Sequence, residues 1–177
     1  MLLRLFFITL LATISTTLAA RGTYQEPEAF LEEVFDGTVP EPAVVWLTGA
    51  RKQAIESILG HPYSSLRVRY WLADARSAWI LEEIGKDQPI TVGMVINNGQ
   101  IERVKVLVFR ESRGWEIRHP FFTDQFRQAD LDADLQLDRQ IDGISGATLS
   151  VRAVKKIARM ALFLDNEIRQ KDVTPAP

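Results

Sequence analysis

The spacing of apolar positions divides the chain into helical and extended stretches. Phe30, Leu31 and Val34 follow Pro27 at helical spacing and predict a short helix within Tyr24 to Phe35. The two prolines of Val39 to Pro42 mark a connector, and Ala43 to Leu47 reads as a short strand. Ala54, Ile55, Ile58 and Leu59 share one side of a second helix, with Thr48 at its cap and Gly60 just past its end. Leu66 to Leu72 and Ala78 to Ile84 predict two strands, with Tyr70, Trp71 and Trp79 suited to a pleated surface. Ile90 to Ile96 and Ile101 to Phe109 predict a hairpin around Asn97-Asn98-Gly99-Gln100, residues that accept positive φ. On its second arm Val104, Val106 and Val108 alternate with Arg103, Lys105 and Leu107, as expected of one buried face.

Beyond Arg110 to Pro120, which breaks the pattern, a short helix is expected over Phe121 to Arg127. Leu131, Ala133, Leu135 and Leu137 alternate with Asp130, Asp132, Asp134 and Gln136, which predicts a strand with an acidic outer face. Ser150 to Gln170 reads as a long helix with Val154, Ile157, Ala158, Ala161, Leu164 and Ile168 as its apolar stripe. The fold class that follows is α+β: an antiparallel sheet with a central hairpin packed against helices, closed by a long C-terminal helix.

The 177 residues fit one domain with a small N-terminal extension, and 46% apolar with 25% charged residues is ordinary for a packed fold. A net charge of −2, with both signs mixed along the chain, argues against a nucleic-acid partner. Met1 to Ala20 has Arg4, an apolar run over Leu5 to Leu11 and small residues near Ala19, the layout of an export signal; an uncleaved anchor is the alternative. The expected location is periplasmic or otherwise extracytoplasmic, with membrane association possible through that segment. No cysteine occurs, which excludes disulfides, c-type haem, iron–sulfur clusters and a thiol nucleophile. A redox role must therefore use a cofactor that needs no Cys.

Candidate chemistry concentrates in Asp142-Gly143-Ile144-Ser145-Gly146-Ala147-Thr148-Leu149-Ser150, at the mouth of the last helix. Two glycines permit a tight turn, and Ser145, Thr148 and Ser150 lie where helix N–H groups are free. A plain helix cap is the simplest reading. Three hydroxyls exceed what a cap needs, however, and Arg152, Lys155 and Lys156 are misplaced in an opening turn unless an anion compensates them. Asp130, Asp132 and Asp134 suggest a calcium loop, but its sixth and twelfth positions hold Leu135 and Ile141 instead of Gly and Glu. Neither His61 nor His119 lies in a hydrolase motif, and the glycines form no nucleotide loop.

Asp142 to Thr148 resembles the flavinylation motif of the FMN-binding domain family. That family includes extracytoplasmic subunits of the sodium-pumping NADH:quinone reductase and of Rnf-type complexes, and small exported flavoproteins. The resemblance covers roughly Gln88 to Gln170. It implies that a flavin transferase takes FAD and places FMN on Thr148 through a phosphoester. Asp142, Gly143, Ser145, Gly146, Ala147 and Ser150 would be cofactor-site positions, and Trp115 a candidate to stack on the flavin. Where family members often carry Glu-Thr-Pro-Gly, this chain has Glu111-Ser112-Arg113-Gly114. The implied layout is a signal over residues 1–20, an α/β extension over 21–87, the FMN-binding domain over 88–171 and a polar tail over 172–177.

The expected function is an electron relay between a membrane redox protein and another extracytoplasmic carrier, without substrate chemistry of its own. Two alternatives stay open: a flavin-dependent reductase with a pocket beside Thr148 lined by Arg110, Arg113 or His119, and a non-redox interaction module.

Overall fold

The computed structural model describes residues 22–173, with side chains described up to residue 170. The export signal and most of the polar tail expected from the sequence lie outside the described residues. Helix α1 (Pro27–Val34) precedes strand β1 (Ala43–Trp46), helix α2 (Gly49–Leu59), and strands β2 (Arg67–Ala73), β3 (Arg76–Ile84), β4 (Pro89–Asn97) and β5 (Gln100–Phe109). A short helix α3 (Pro120–Thr123) and the long helix α4 (Thr148–Val173) complete the α+β fold. The five strands form one antiparallel sheet in chain order. Residues 43–84, assigned to the extension from sequence, supply three of those strands. Among the described residues no helix is long and apolar enough to cross a membrane.

The sheet is covered on both faces. α4 lies against β3 and β4 on one side, with α2 beside it, and α1 lies on the other. This is why β4 reads as a nearly continuous apolar run: its residues 90–96 are all buried, Met94 toward α4 and Val95 toward α1. α1 comes so close that a Cβ on Gly93 would meet the Phe30 ring at 2.6 Å. The β4–β5 hairpin closes through a two-residue turn, Asn98 and Gly99, at φ +51° and +80°.

Two expectations are corrected. Val108 was grouped with Val104 and Val106, yet a bulge opposite Thr91 and Val92 turns both Leu107 and Val108 toward α1. The acidic segment 130–138 is not a strand beyond one isolated bridge, Leu131 to Leu137. The carboxylates of Asp130, Asp132 and Asp138 bond to backbone N–H groups of the segment itself. Asp132 Oδ1 accepts from the N–H groups of Asp134 and Gln136, and Asp138 Oδ1 from that of Asp130. Leu131, Leu135 and Leu137 all rest on the core beside α4. A local hydrogen-bonding preference thus overrode an alternating pattern.

The remaining expectations hold closely. Gly60 ends α2 at φ +77° and donates to the Glu56 carbonyl, although the Thr48 side chain makes no cap bond. The helix expected over Phe121 to Arg127 is α3 followed by a 3₁₀ turn over Asp124–Phe126. All six residues of the α4 stripe are buried.

One polar network fixes α4 along its axis. Asp165, fully buried, accepts from the Ser77 hydroxyl at 2.6 Å and from Arg169 Nε at 2.6 Å. Arg169 also reaches the Ala75 carbonyl at 2.8 Å, and Trp79 Nε1 donates to Ser77 at 2.8 Å. Replacing Arg169 by Met strands a buried carboxylate and is expected to cost about 3 kcal/mol or more. Asp165→Asn keeps an acceptor for Ser77 and leaves the charge of Arg169 at a half-open rim, so about 1 kcal/mol is expected. Urea unfolding midpoints of the two variants check this order, and a reversal refutes it.

Candidate functional site

The start of α4 is built without a side-chain cap. Gly146 takes φ +81°, and the Ala147 N–H then donates to the Ile144 carbonyl at 2.9 Å. Ala147 is the residue before the helix, its carbonyl accepting from Val151 at 2.9 Å, and its methyl group offers no oxygen to cap anything. The hydroxyls of Ser145, Thr148 and Ser150 make no hydrogen bond to described residues. The N–H groups of Thr148, Leu149 and Ser150 therefore lack an acceptor within the helix and add to its positive end.

The three hydroxyls go in different directions. Ser150 is buried and faces Gly114, where a Cβ would lie 2.6 Å from its Oγ and 3.3 Å from the Ala147 Cβ. Gly114 sits at φ +89°, so both its backbone and the lack of space exclude a side chain. This contact presses the 110–115 loop against the mouth of α4. Ser145 and Thr148 are exposed.

Two clefts meet at Thr148. The larger, about 610 Å³, runs along α4 between Arg152, Lys155, Lys156 and Arg159 on one wall and Gln136, Leu137, Arg139 and Ile141 on the other. The second, about 510 Å³, lies between the helix mouth and the loop carrying Glu111, Ser112 and Arg113, with Lys86 at its side. Of the sequence candidates, Gly143 and Thr148 line the first, and Gly146, Ala147, Thr148 and Ser150 the second. Asp142 is exposed beside them, its N–H held by Gln125 Oε1 at 2.7 Å. Trp115 lines neither cleft; its ring meets His119 edge-on at 5.4 Å and Arg118 at 5.0 Å. Arg110 is also elsewhere, bonded to the Pro89 carbonyl and to Thr91 Oγ1. Of Arg110, Arg113 and His119, only Arg113 reaches a cleft beside Thr148.

Sequence reading missed most of the walls. Arg139 and Arg159 arrive from 9 residues before and 11 after Thr148, brought together only because the 130–141 loop folds back on α4. Arg159 Nε donates to the Leu135 carbonyl at 2.6 Å, and burial pulls its guanidinium below the ordinary arginine value. Glu83, almost wholly buried, places one oxygen 2.9 Å from both Lys156 Nζ and His61 Nε2. That bond to Glu83 is the main reason the His61 imidazole is raised above its usual value.

Glu111 organises the second cleft. Its Oε1 accepts from the backbone N–H groups of Lys86, Asp87 and Gln88 at 2.5, 2.7 and 3.0 Å. Burial pushes its carboxyl up, but these three bonds outweigh burial and hold it below the ordinary glutamate value. A depressed value in the folded protein means the stabilisation is complete above the unfolded value and is lost as pH falls through the folded one. Amide exchange at Lys86, Asp87 and Gln88 should therefore accelerate in acid beyond its intrinsic pH dependence. Glu111→Gln should show that loss of protection already at neutral pH; unchanged protection refutes the assignment.

Comparison with protein families adds one finding: the model of the FMN-binding domain matches residues 85–162. That span opens just before β4 and holds the hairpin, the Glu111 loop, the 142–148 turn and the first half of α4. Comparison with curated proteins and with solved structures gives no match. The exposed hydroxyl of Thr148, the free helix N–H groups and the flanking clefts suit a phosphate-bearing cofactor, in keeping with the match of residues 85–162 to the FMN-binding domain family.

Proposed function

We propose that this flavoprotein is exported, carries FMN on Thr148 through a phosphoester, and relays electrons between a membrane redox protein and another extracytoplasmic carrier. The observation that carries this reading is the position of Thr148: exposed, uncommitted in hydrogen bonding, and in the first turn of a helix that lacks a side-chain cap. A hydroxyl held inside the core could not be reached by a transferase. Here the Thr148 oxygen is free to lose its proton and join the FMN phosphate of FAD, with AMP leaving.

The chain's own residues then act on the attached group through charge and position. The N–H groups of Thr148, Leu149 and Ser150 favour the ester phosphate, and Arg152, one turn further on the same face, adds a full charge. Gly114 against Ser150 fixes the loop that bounds one side. Bound FMN supplies reversible uptake of electrons. Clefts that open to solvent on both sides of Thr148 leave a bound ring accessible to a partner, which supports relay over enclosed catalysis. The exposure of Asp142 and Ser145, which line neither cleft, supports a part for them in recognition by the transferase.

Co-expression of the full chain with a flavin transferase tests the reading. The expected result is flavin fluorescence that survives denaturing electrophoresis and an intact mass raised by one FMN less one water. Thr148→Ala should abolish both while leaving the unfolding midpoint nearly unchanged, because the side chain is exposed. Asp142→Ala should slow attachment several-fold. A wild-type chain that stays colourless in cells with active transferase overturns the proposal.

A further inference from the structure

Five cationic side chains line the cleft along α4, and no carboxylate lines it, in a chain whose net charge is −2. Acids answer two of them: Glu83 is 2.9 Å from Lys156, and Asp138 is 3.1 Å from Arg139. Arg159 donates to the neutral Leu135 carbonyl and feels the Asp132 carboxylate through space, without an ion pair. Arg152 and Lys155 have no hydrogen-bond or ion-pair partner among the described residues. Two positive charges, Arg152 and Lys155, therefore face the cleft without a carboxylate, and Arg159 faces it only partly compensated.

Their placement is unfavourable as it stands. Arg152, Lys155 and Arg159 follow Thr148 by 4, 7 and 11 residues, which puts all of them on one helix face within the first turns. Cations so spaced repel one another, and Arg152, nearest the helix start, also meets its positive end. A phosphodiester on Thr148 carries one negative charge, so one positive charge and the partly compensated Arg159 remain even with a flavin attached. Four apolar side chains, Ile58, Leu137, Ile141 and Val151, share the lining with Gly143 and the neutral polar Gln136 and Thr148. Such a surface favours carbon over a hydrated inorganic ion. A volume of about 610 Å³ is in the range of small-molecule clefts.

We propose that this cleft binds a small organic dianion, carrying either two carboxylates or one phosphate on a short carbon body, beside the group on Thr148. Arg152 and Lys155 supply the free charge at its mouth, Arg159 the charge at its inner end, and the four apolar side chains hold the carbon body. The site does not require the flavin, so it stands or falls separately from the attachment to Thr148.

The test is a titration at fixed ionic strength, following the backbone amides of residues 152–159 by NMR, on the unmodified full chain and on the flavinylated one. Succinate and glycerol 3-phosphate are the probes, and whichever saturates at lower concentration identifies the anionic group. Butyrate and sulfate are the controls, a monoanion of similar body and a dianion without carbon. Saturable shifts with one probe are expected, with both controls at least about tenfold weaker. The double variant Arg152→Gln with Lys155→Gln should weaken binding at least about tenfold. It should fold normally, because neither side chain holds any other part of the structure. Lys105→Gln, on β5, should bind as wild type. Absence of saturation into the millimolar range, sulfate binding as tightly as the organic probes, or an unaffected double variant overturns the proposal.

Discussion

The seat of α4 across the sheet is the constraint on which the rest of the molecule depends. Its apolar stripe buries against β3 and β4, and burial of that kind is the largest favourable contribution to folding. Apolar contact alone lets a helix slide or rotate; the Asp165 network does not. Asp165 meets Ser77 of β3, and Arg169 beside it meets the Ala75 carbonyl, so the helix is held to the β2–β3 hairpin at its C-terminal half. At its N-terminal end Gly114 against Ser150 and Ala147 does the equivalent by shape. With both ends located, the direction in which Thr148 faces is determined by the helix itself.

The clefts follow from that placement. One wall of each is α4 or its mouth, and the facing walls are loops whose conformation is held by carboxylates bonded to backbone. Glu111 gathers the N–H groups of 86–88, and Asp132 and Asp138 fold the 130–138 segment. None of these carboxylates but Glu111 lines a cleft, and Glu111 lines only the second. The basic side chains opposite them are thus left partly unmatched, which explains local positive potential in a slightly acidic chain.

The division between extension and domain has a similar physical content. β1, β2 and β3 precede most of the matched span of 85–162, yet β3 contributes Trp79, Leu81 and Ser77 to the contact with α4. The sheet that seats the site is therefore continuous across that boundary. α1 on the far face, close enough at Gly93 to touch Phe30, buries what would otherwise be an open apolar surface.

Sequence alone determined the elements whose signal is local. The hairpin at Asn98-Gly99 is dictated by positive φ, the α4 stripe by helical period, and the start of α4 by the glycine turn that leads into it. Local rules failed where distant groups compete for the same atoms. Alternation in 130–137 looked like a strand until the carboxylates took the backbone N–H groups, and Val108 changed face because a bulge needs a partner strand to exist. Only the tertiary structure decided that Ala147, not a hydroxyl residue, precedes the helix, and that Trp115 turns to Arg118 and His119. It also decided which cations share a cleft, because charge accumulates by proximity in space, and spacing along the chain carries no record of a loop folding back on a helix.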